Sequence, residues 1–478
     1  MISGDLSALS IDEIRQALAR CDQEHVLTFW DELDGAQREA LIGDLTRLDL
    51  TQVTRLIPTH VHGSPRLGAD GPIQPAATVT AVPGSRRHSA AQRRGEKMIA
   101  KGKVAALVVA GGQGSRLGFD GPKGMFAISP VRNRSLFALF AESILATRRR
   151  FGGTVPWYIM TSEANDAATR DYFAANGHFG LNPLNVVFFN QGAMPAVGAD
   201  GRILLDQKHR IAMAPDGHGG TLRALAATGA LRDMAARGVE AVSYFQVDNP
   251  LARPADPLFL GLHDLTGSEA SSLAVSKADD LERVGNFASV NGRTCVIEYS
   301  DLPEEIARAR NPDGSRVLDA GSIAIHVFSR PFLEALTADI HAIGLPWHRA
   351  VKKVPYVDLD TGQRVEPDVP NAVKFEMFIF DALPLARNAL VLTADRDEVF
   401  SPVKNATGVD SAETARRDMV RRAAKWLRAC GVVVPTRDDG EPDALLEISP
   451  LFALDAAHLK SVLKRRPTIP RGGTLCLE

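Results

Sequence analysis

The sequence predicts an α/β fold: a central mixed sheet between helices, a helical N-terminal region and a small C-terminal domain. Three observations carry that prediction. From about Lys103, short apolar runs alternate with helix-length amphipathic segments, which builds a parallel sheet covered on both faces. In the middle of the chain Asn291-Gly292 stands between two apolar runs, a hairpin signal that adds antiparallel strands. Residues 10–60 read as helices. With 478 residues the chain exceeds one ordinary core. We therefore expect a helical region over 1–100 with a linker at 62–95, a main domain over 101–408 and a small domain over 409–478.

The elements follow in order. Ser10 and Glu13 form a capping box, and Ile11, Ile14, Leu18 and Cys21 follow at helical spacing. The segment HVLTFWDELDGAQREALIGDLTRL continues in that style, after which residues 62–87 lose periodicity and gain Gly, Pro and basic residues, as a linker or surface wrap does. VAALVVA (104–110) reads as a strand, and LFALFAESILATRRRF (136–151) as a helix stopped by Gly152 and Gly153. VPWYIMTS, LNVVFFNQ and AVSYFQVDNP (241–250) read as strands; DAATRDYFAAN and TLRALAATGALRDMAARG read as helices between them. FASVNGRTCVIEYS is the hairpin, VLDAGSIAIHVFS a further strand, and KFEMFIFDAL a helix opened by Lys374. A helix near 411–429 precedes a tail of short strands, Pro/Gly breaks and one short helix.

Composition narrows the function classes. Apolar residues make up 45% and charged residues 23%, as in soluble globular proteins. Net charge is −2, so no global basic field recruits nucleic acid or acidic membranes, and any anion site is local. Cys21, Cys295, Cys430 and Cys476 are scattered without metal-ligand spacing and read as thiols of a reducing compartment. The start, MISGDLSALSIDEI, has no basic segment followed by an apolar one, and no later run is long enough to span a bilayer. A cytoplasmic protein is expected.

The stretch VVAGGQGSRLGFDGPKGM (108–125) is the densest chemical signal. A dinucleotide loop needs a third glycine where Leu117 stands, and a P-loop needs a hydroxyl where Gly124 follows Lys123. Both readings fail. A strand feeding Gly111 and Gly112 does let backbone amides approach a base and a phosphate chain without Cβ obstruction. Arg116 offers a fork for phosphate oxygens, Lys123 a point charge aimed by the fixed backbone of Pro122. In parallel sheets ligands sit beyond the carboxyl ends of the strands, which selects this loop and Asp248. The plainer alternative is a glycine-rich turn with solvated cations.

AGGQGSRLG…PKG resembles the signature of nucleotide-sugar pyrophosphorylases. FFNQG, MAPDGHGG, QVDNPLARPADPLFLG, VIEYSD, DAGSIAIH, KKVPYVD, PNAVKFEMFIFD and FSPVKNA are similar to successive motifs of the eukaryotic-type UDP-sugar pyrophosphorylase family. These are UTP:sugar-1-phosphate uridylyltransferases, and the likeness, which runs over about 24–450, is greatest to the UDP-N-acetylglucosamine enzymes. It implies a Rossmann-like nucleotidyltransferase domain. It also implies that Val109, Ala110, Gly111 and Gly112 hold the nucleotide, that Arg116 and Lys123 bind the phosphates that leave, and that Gln191 and Gly217 read uracil beside His218. By the same likeness Asp248 holds magnesium (Mg2+), and Glu298 and Ser322 grip sugar hydroxyls. Lys374 and Lys404 hold phosphates, and Phe378 and Phe380 line an N-acetyl pocket. The implied partners are UTP and a sugar 1-phosphate.

The chemistry suits these residues. A phosphate monoester is already mostly dianionic near neutrality, its second pKa being about 6, so the nucleophile needs no general base. The reaction needs two polyanions brought into line with their charge neutralised. Gln191 can donate to a uracil carbonyl and accept from N3–H, where cytosine offers the opposite pattern. Each residue also has a plainer reading. Gln191 is a turn residue beside Gly192, Asp248 caps the turn at Asn249-Pro250, Lys404 is a solvated surface lysine, and Lys374 is a misfit at a helix N-terminus. Two residues apart on a helix, Phe378 and Phe380 would not share a face, so one of them belongs to the core. His218 reads as a loop residue near the nucleotide, not a catalyst.

Two positions depart from the acetylglucosamine pattern. PDGNGG becomes PDGHGG at His218, and NAGNI becomes DAGSI with Asp319 and Ser322. An unmatched buried polar group costs about 1–3 kcal/mol, enough to move sugar preference tenfold. Acetylglucosamine, glucose and galactose 1-phosphates all stay open as acceptors. A catalytically silent nucleotide-sugar sensor is the rival from another class, and a nicotinamide enzyme a distant third.

Overall fold

Val104–Val109 is apolar at every position and almost wholly buried, a demand met only by a strand covered on both faces. In the computed structural model, which describes residues 10–63, 71–339 and 343–478, this strand is central to a mixed sheet. From one edge the order is Thr78–Thr80, Ala389–Thr393, Ala270–Ser276, Ala320–Ser329, Ala241–Gln246, Val104–Val109, Trp157–Thr161 and Val186–Asn190. Ala320–Ser329 runs antiparallel to both neighbours, and the other pairings along this path are parallel. The hairpin Gly285–Val290/Arg293–Ile297 extends the sheet through Ala320–Ser329, with Asn291 and Gly292 both at positive φ (51° and 74°). The expected α/β fold with its mixed sheet is the observed one.

The helix Leu136–Phe151 begins at a Ser135 cap and stops at Gly152, whose φ is +75°. It buries Phe137 and Phe140 against Trp157, Phe173 and Phe245 with edge-on ring contacts. Edge-to-face pairs of this kind contribute about 0.5–1.5 kcal/mol each beyond their area. The helix predicted over TLRALAATGALRDMAARG is two, Thr221–Ala227 and Ala230–Ala236, because Gly229 turns left-handed (φ +78°).

The linker expected at 62–95 differs from its reading. Residues 64–70 lie outside the described residues, as do residues 1–9 of the N-terminus. Gln74–Pro75 pairs with Gly285–Val290, Thr78–Thr80 pairs with Ala389–Thr393, and Arg86–Ala100 is a helix capped by Ser85. That helix packs on Pro257–Leu265 so closely that a Cβ at Gly95 would lie 1.8 Å from the Pro257 carbonyl. Polar, basic composition hid a helix whose buried stripe is only Ala91, Gly95, Met98 and Ile99.

Two compact units emerge, and they cut across the three-part division expected from sequence. The larger takes in 69–190, 222–343 and 382–478 and holds the sheet. Its C-terminal part has a small apolar cluster of its own around Trp426, Leu427, Leu446 and Leu459. The parallel pair Ala444–Ile448 and Gly473–Leu477 lies there. Glu447 of that pair accepts from Val131 and Arg132 backbone N–H groups and from Arg132 Nε, at 2.7–2.9 Å. The smaller unit takes in 1–68, 191–221 and 344–381. In it the helices Ile11–Ala19, Gly35–Thr46 and Leu50–Leu56 are joined to short strands by buried polar side chains. Asp44 accepts from Ile211 N–H and Gln23 from Ile203 N–H, while His60 Nε2 meets the Trp347 carbonyl at 2.8 Å. The N-terminal helices are therefore part of a discontinuous unit.

Candidate functional site

In the larger unit the glycine loop leaves the end of Val104–Val109 with its carbonyls turned back into the protein. Ser162 Oγ donates to Gly111 O (2.8 Å), and Asn165 Nδ2 to Ala110 O (2.9 Å) and more distantly to Gly112 O (3.4 Å). A Cβ at Gly112 would meet nothing within 4 Å, so this edge of the loop faces open space. Lys123 N–H closes back on Gly112 O at 3.0 Å, and Gly114 N–H on Gly121 O at 2.8 Å. Arg116, on the short 3-10 turn Ser115–Leu117, is exposed. Ser162 and Asn165 escaped the sequence reading. Their signal is a Ser-x-x-Asn turn at the end of Trp157–Thr161, in which Ser162 N–H donates to Asn165 Oδ1.

Asp248 stands beside that loop because Ala241–Gln246 pairs in parallel register with Val104–Val109, and Val247 N–H continues onto Val109 O. Its carboxylate lies 3.4 Å from Lys123 Nζ, both side chains being about 15% exposed. The turn is capped by the neighbour instead: Asn249 Oδ1 accepts from Leu251 and Ser401 N–H, and its Nδ2 donates to Val399 O. Val403 N–H donates to Asp248 O at 2.8 Å, which brings the Lys404 loop alongside. Lys404 Nζ is 3.9 Å from Asp410, whose carboxyl is raised above the usual range by burial, against the pull of Lys404. Lys123, Asp248 and the Lys404 loop thus form one cluster next to Val109–Gly112.

Glu298 and Ser322 flank Gly285. A Cβ at Gly285 would stand 3.3 Å from Glu298 Oε1 and 3.7 Å from Ser322 Cβ. Register explains this: Ser322 is the partner of Gly285 on one side and of Ala274 on the other, past a bulge in Ala320–Ser329. Lys277, 4% exposed, lies behind them with Nζ on Asn286 Oδ1 at 2.8 Å, and burial lowers its pKa. Asp319 is bound to Arg316 at 3.0 Å.

In the smaller unit Gln191 Nε2 donates to Gly217 O (2.7 Å) and Asp216 Oδ1 (3.3 Å). Two acceptors there fix the orientation of the amide. Gly217 has φ +81°, and the turn it opens is stitched to residues 377–379: Gly219 N–H to Met377 O, Met377 N–H to Asp216 O, Ile379 N–H to His218 Nδ1. Asp216, buried under this turn, is a third residue the sequence reading missed; the Pro-Asp-Gly run of MAPDGHGG is its signal.

Here the structure corrects one expectation. KFEMFIFDAL is not a helix: Ala372–Glu376 is a strand paired with His348–Lys352, and a 3-10 turn begins at Ile379. Lys374 consequently opposes no helix dipole, and Phe378 and Phe380 are not held apart by helical geometry. Their ring centroids are 5.2 Å apart, and His218 stacks on Phe378 at 5.2 Å and 19°. Burial, with His348 nearby, pushes His218 down to about 4, so it is neutral at physiological pH.

The family model described as UTP–glucose-1-phosphate uridylyltransferase matches residues 74–467. The chain belongs to that family. It is 39% identical over 488 residues to the human UDP-N-acetylhexosamine pyrophosphorylase-like protein 1, with 96% of each chain covered. It is 34% identical over 441 residues to the UDP-N-acetylglucosamine pyrophosphorylase of Saccharomyces cerevisiae, covering 88% of this chain and 92% of that one. Its fold matches the crystal structure of the uridine diphosphate N-acetylglucosamine pyrophosphorylase of Trypanosoma brucei with a TM-score of 0.81 at 25% identity, over 98% and 99% of the two chains. As a uridylyltransferase of this family, the chain has the nucleotidyltransferase fold the motifs implied. Among the described residues no helix is long and apolar enough to cross a membrane.

Proposed function

We propose that this chain joins UTP and a sugar 1-phosphate into a UDP-sugar and pyrophosphate, with N-acetylglucosamine 1-phosphate as the principal acceptor. The observation that carries this reading is the cluster of Lys123, Asp248 and the Lys404 loop beside the open edge of Gly112. An oxygen of the sugar phosphate attacks the α-phosphorus of UTP. The α–β bridging bond breaks, and pyrophosphate leaves with the electron pair. Backbone amides of Val109–Gly112 hold the nucleotide, and Arg116 and Lys123 neutralise the departing phosphates. Lys374 and Lys404 hold the sugar-side and α-phosphates. Gln191 and Gly217, beside His218, read uracil; Glu298 and Ser322 hold sugar hydroxyls; Phe378 and Phe380 receive the acetyl group.

Asp248 fits a magnesium ion. Among the described residues no three His, Cys, Asp or Glu side chains gather as a cage, and magnesium commonly takes one carboxylate and completes its shell with phosphates and water. When bound, the ion would draw charge off the phosphate oxygens. Free thiols at all four cysteines support a cytoplasmic setting.

Ser322 favours a second reading, in which glucose 1-phosphate or several sugar phosphates serve equally, because a hydroxyl is shorter than an amide and offers one donor fewer. Pyrophosphate release from UTP with acetylglucosamine, glucose and galactose 1-phosphates decides between them. The acetylated substrate is expected to lead in kcat/KM; equal rates would overturn the acetyl pocket, and no release with any sugar phosphate would leave the silent sensor.

A further inference from the structure

The ring of Phe378 sits on a bend between a strand and a 3-10 turn, where the backbone alone gives an aromatic side chain little direction. Its orientation comes from neighbours. His218 stacks on it at 5.2 Å, and the ring of His348 lies 4.2 Å away at 37°. His348 is placed by the pairing of His348–Lys352 with Ala372–Glu376, where it stands opposite Glu376. Its Nε2 is 2.7 Å from Asp381 Oδ2, the two side chains being 10% and 16% exposed. Asp381 is tied to the same bend, its backbone N–H donating to Phe378 O at 3.1 Å. The chain of contacts therefore closes on itself: Phe378 backbone, Asp381, His348, Phe378 ring. His218, the second ring against Phe378, is pinned by Ile379 N–H at its Nδ1.

We infer that His348 and Asp381 are a positioning pair that clamps the Phe378 ring and thereby sets the preference of this enzyme for acetamido over unsubstituted hexose 1-phosphates. The inference rests on the reading of Phe378 as a wall of the acetyl pocket. A pocket discriminates a small apolar group only if its wall stays in place when the group is missing. One methylene's worth of contact corresponds to about 10- to 200-fold in kcat/KM. A ring free to swing loses that contact for the acetylated substrate and nothing for glucose 1-phosphate. His348 acts through Phe378 and needs no contact with substrate.

The test compares kcat/KM for N-acetylglucosamine 1-phosphate and glucose 1-phosphate in the full-length enzyme. Asp381→Asn is nearly isosteric. His348→Phe keeps a ring against Phe378 but removes the bond to Asp381, and serves if the first variant does not fold. Each is expected to lower the ratio of acetylated to plain substrate about tenfold, mainly through KM of the sugar phosphate, with the UTP KM unchanged. Phe378→Ala runs beside them. If Phe378→Ala shifts the ratio and neither clamp variant does, the positioning pair is wrong. A Phe378→Ala enzyme with an unaltered ratio would overturn the pocket reading itself. Equal loss on both sugars in the clamp variants would mark a merely structural role and also sink the inference.

Discussion

Lys123 Nζ stands 3.4 Å from the carboxylate of Asp248, a cation from the far side of the glycine loop meeting an anion just past the end of Ala241–Gln246. Mostly buried and loosely paired, they hold each other in place without forming a tight bond, so either is available to a ligand.

Asp248→Asn keeps the shape and removes the charge. Turnover is expected to fall about 100-fold or more, the scale for losing one preorganised electrostatic group. UDP-sugar binding measured by calorimetry should change little, and unchanged turnover would refute the metal role.

Asn165 is 1% exposed and holds the carbonyls of Ala110 and Gly112. Asn165→Ala removes the bonds to the buried Ala110 carbonyl and from the Ser162 N–H, at a cost of about 1–3 kcal/mol. The KM for UTP is expected to rise about tenfold with the sugar-phosphate KM steady; a rise in both alike would deny a specific role in the nucleotide loop.

Arg132 bridges Glu142 and Glu447 at 2.7–3.1 Å, with all three side chains nearly buried. Arg132→Met removes the guanidinium between two nearly buried carboxylates. Glu142 keeps Arg134 at 3.3 Å and Glu447 keeps two backbone N–H donors. The loss is therefore expected at or below the low end of the roughly 3–5 kcal/mol for a fully uncompensated charge. Urea denaturation should show the drop, and Glu142→Gln added to Arg132→Met should recover part of it.

His263 is 3% exposed, bonded through Nδ1 to Ser271 Oγ, and burial holds it at about 4 against 6.5. The unfolded chain binds the proton more readily, so stability rises with pH across this window. About 3 kcal/mol is fully present above pH 6.5, declines as the pH falls, and is gone below about 4. Thermal denaturation between pH 7 and 4 should show this, with a shallower slope in His263→Asn.

Much of this was legible from residue order. Ser10 and Glu13 form their capping box, Gly152 ends its helix, and Asn291-Gly292 makes its hairpin, because each depends on contacts a few residues apart. KFEMFIFDAL misled because its composition suits a helix while its partner strand, His348–Lys352, lies some twenty residues earlier. The Arg86–Ala100 helix was hidden for the opposite reason: its burial rests on small residues that only a closely packed neighbour makes apolar.

The sequence by itself determined the α/β architecture, the family, and the candidate phosphate and base contacts, since short motifs and local periodicity carry that information. Only the tertiary structure decided that Lys123 meets Asp248, that Asn165 backs the glycine loop, and that two histidines pack against Phe378. Those relationships join residues from 30 to more than 150 positions apart, and their distances follow from strand register and packing, which no local pattern encodes.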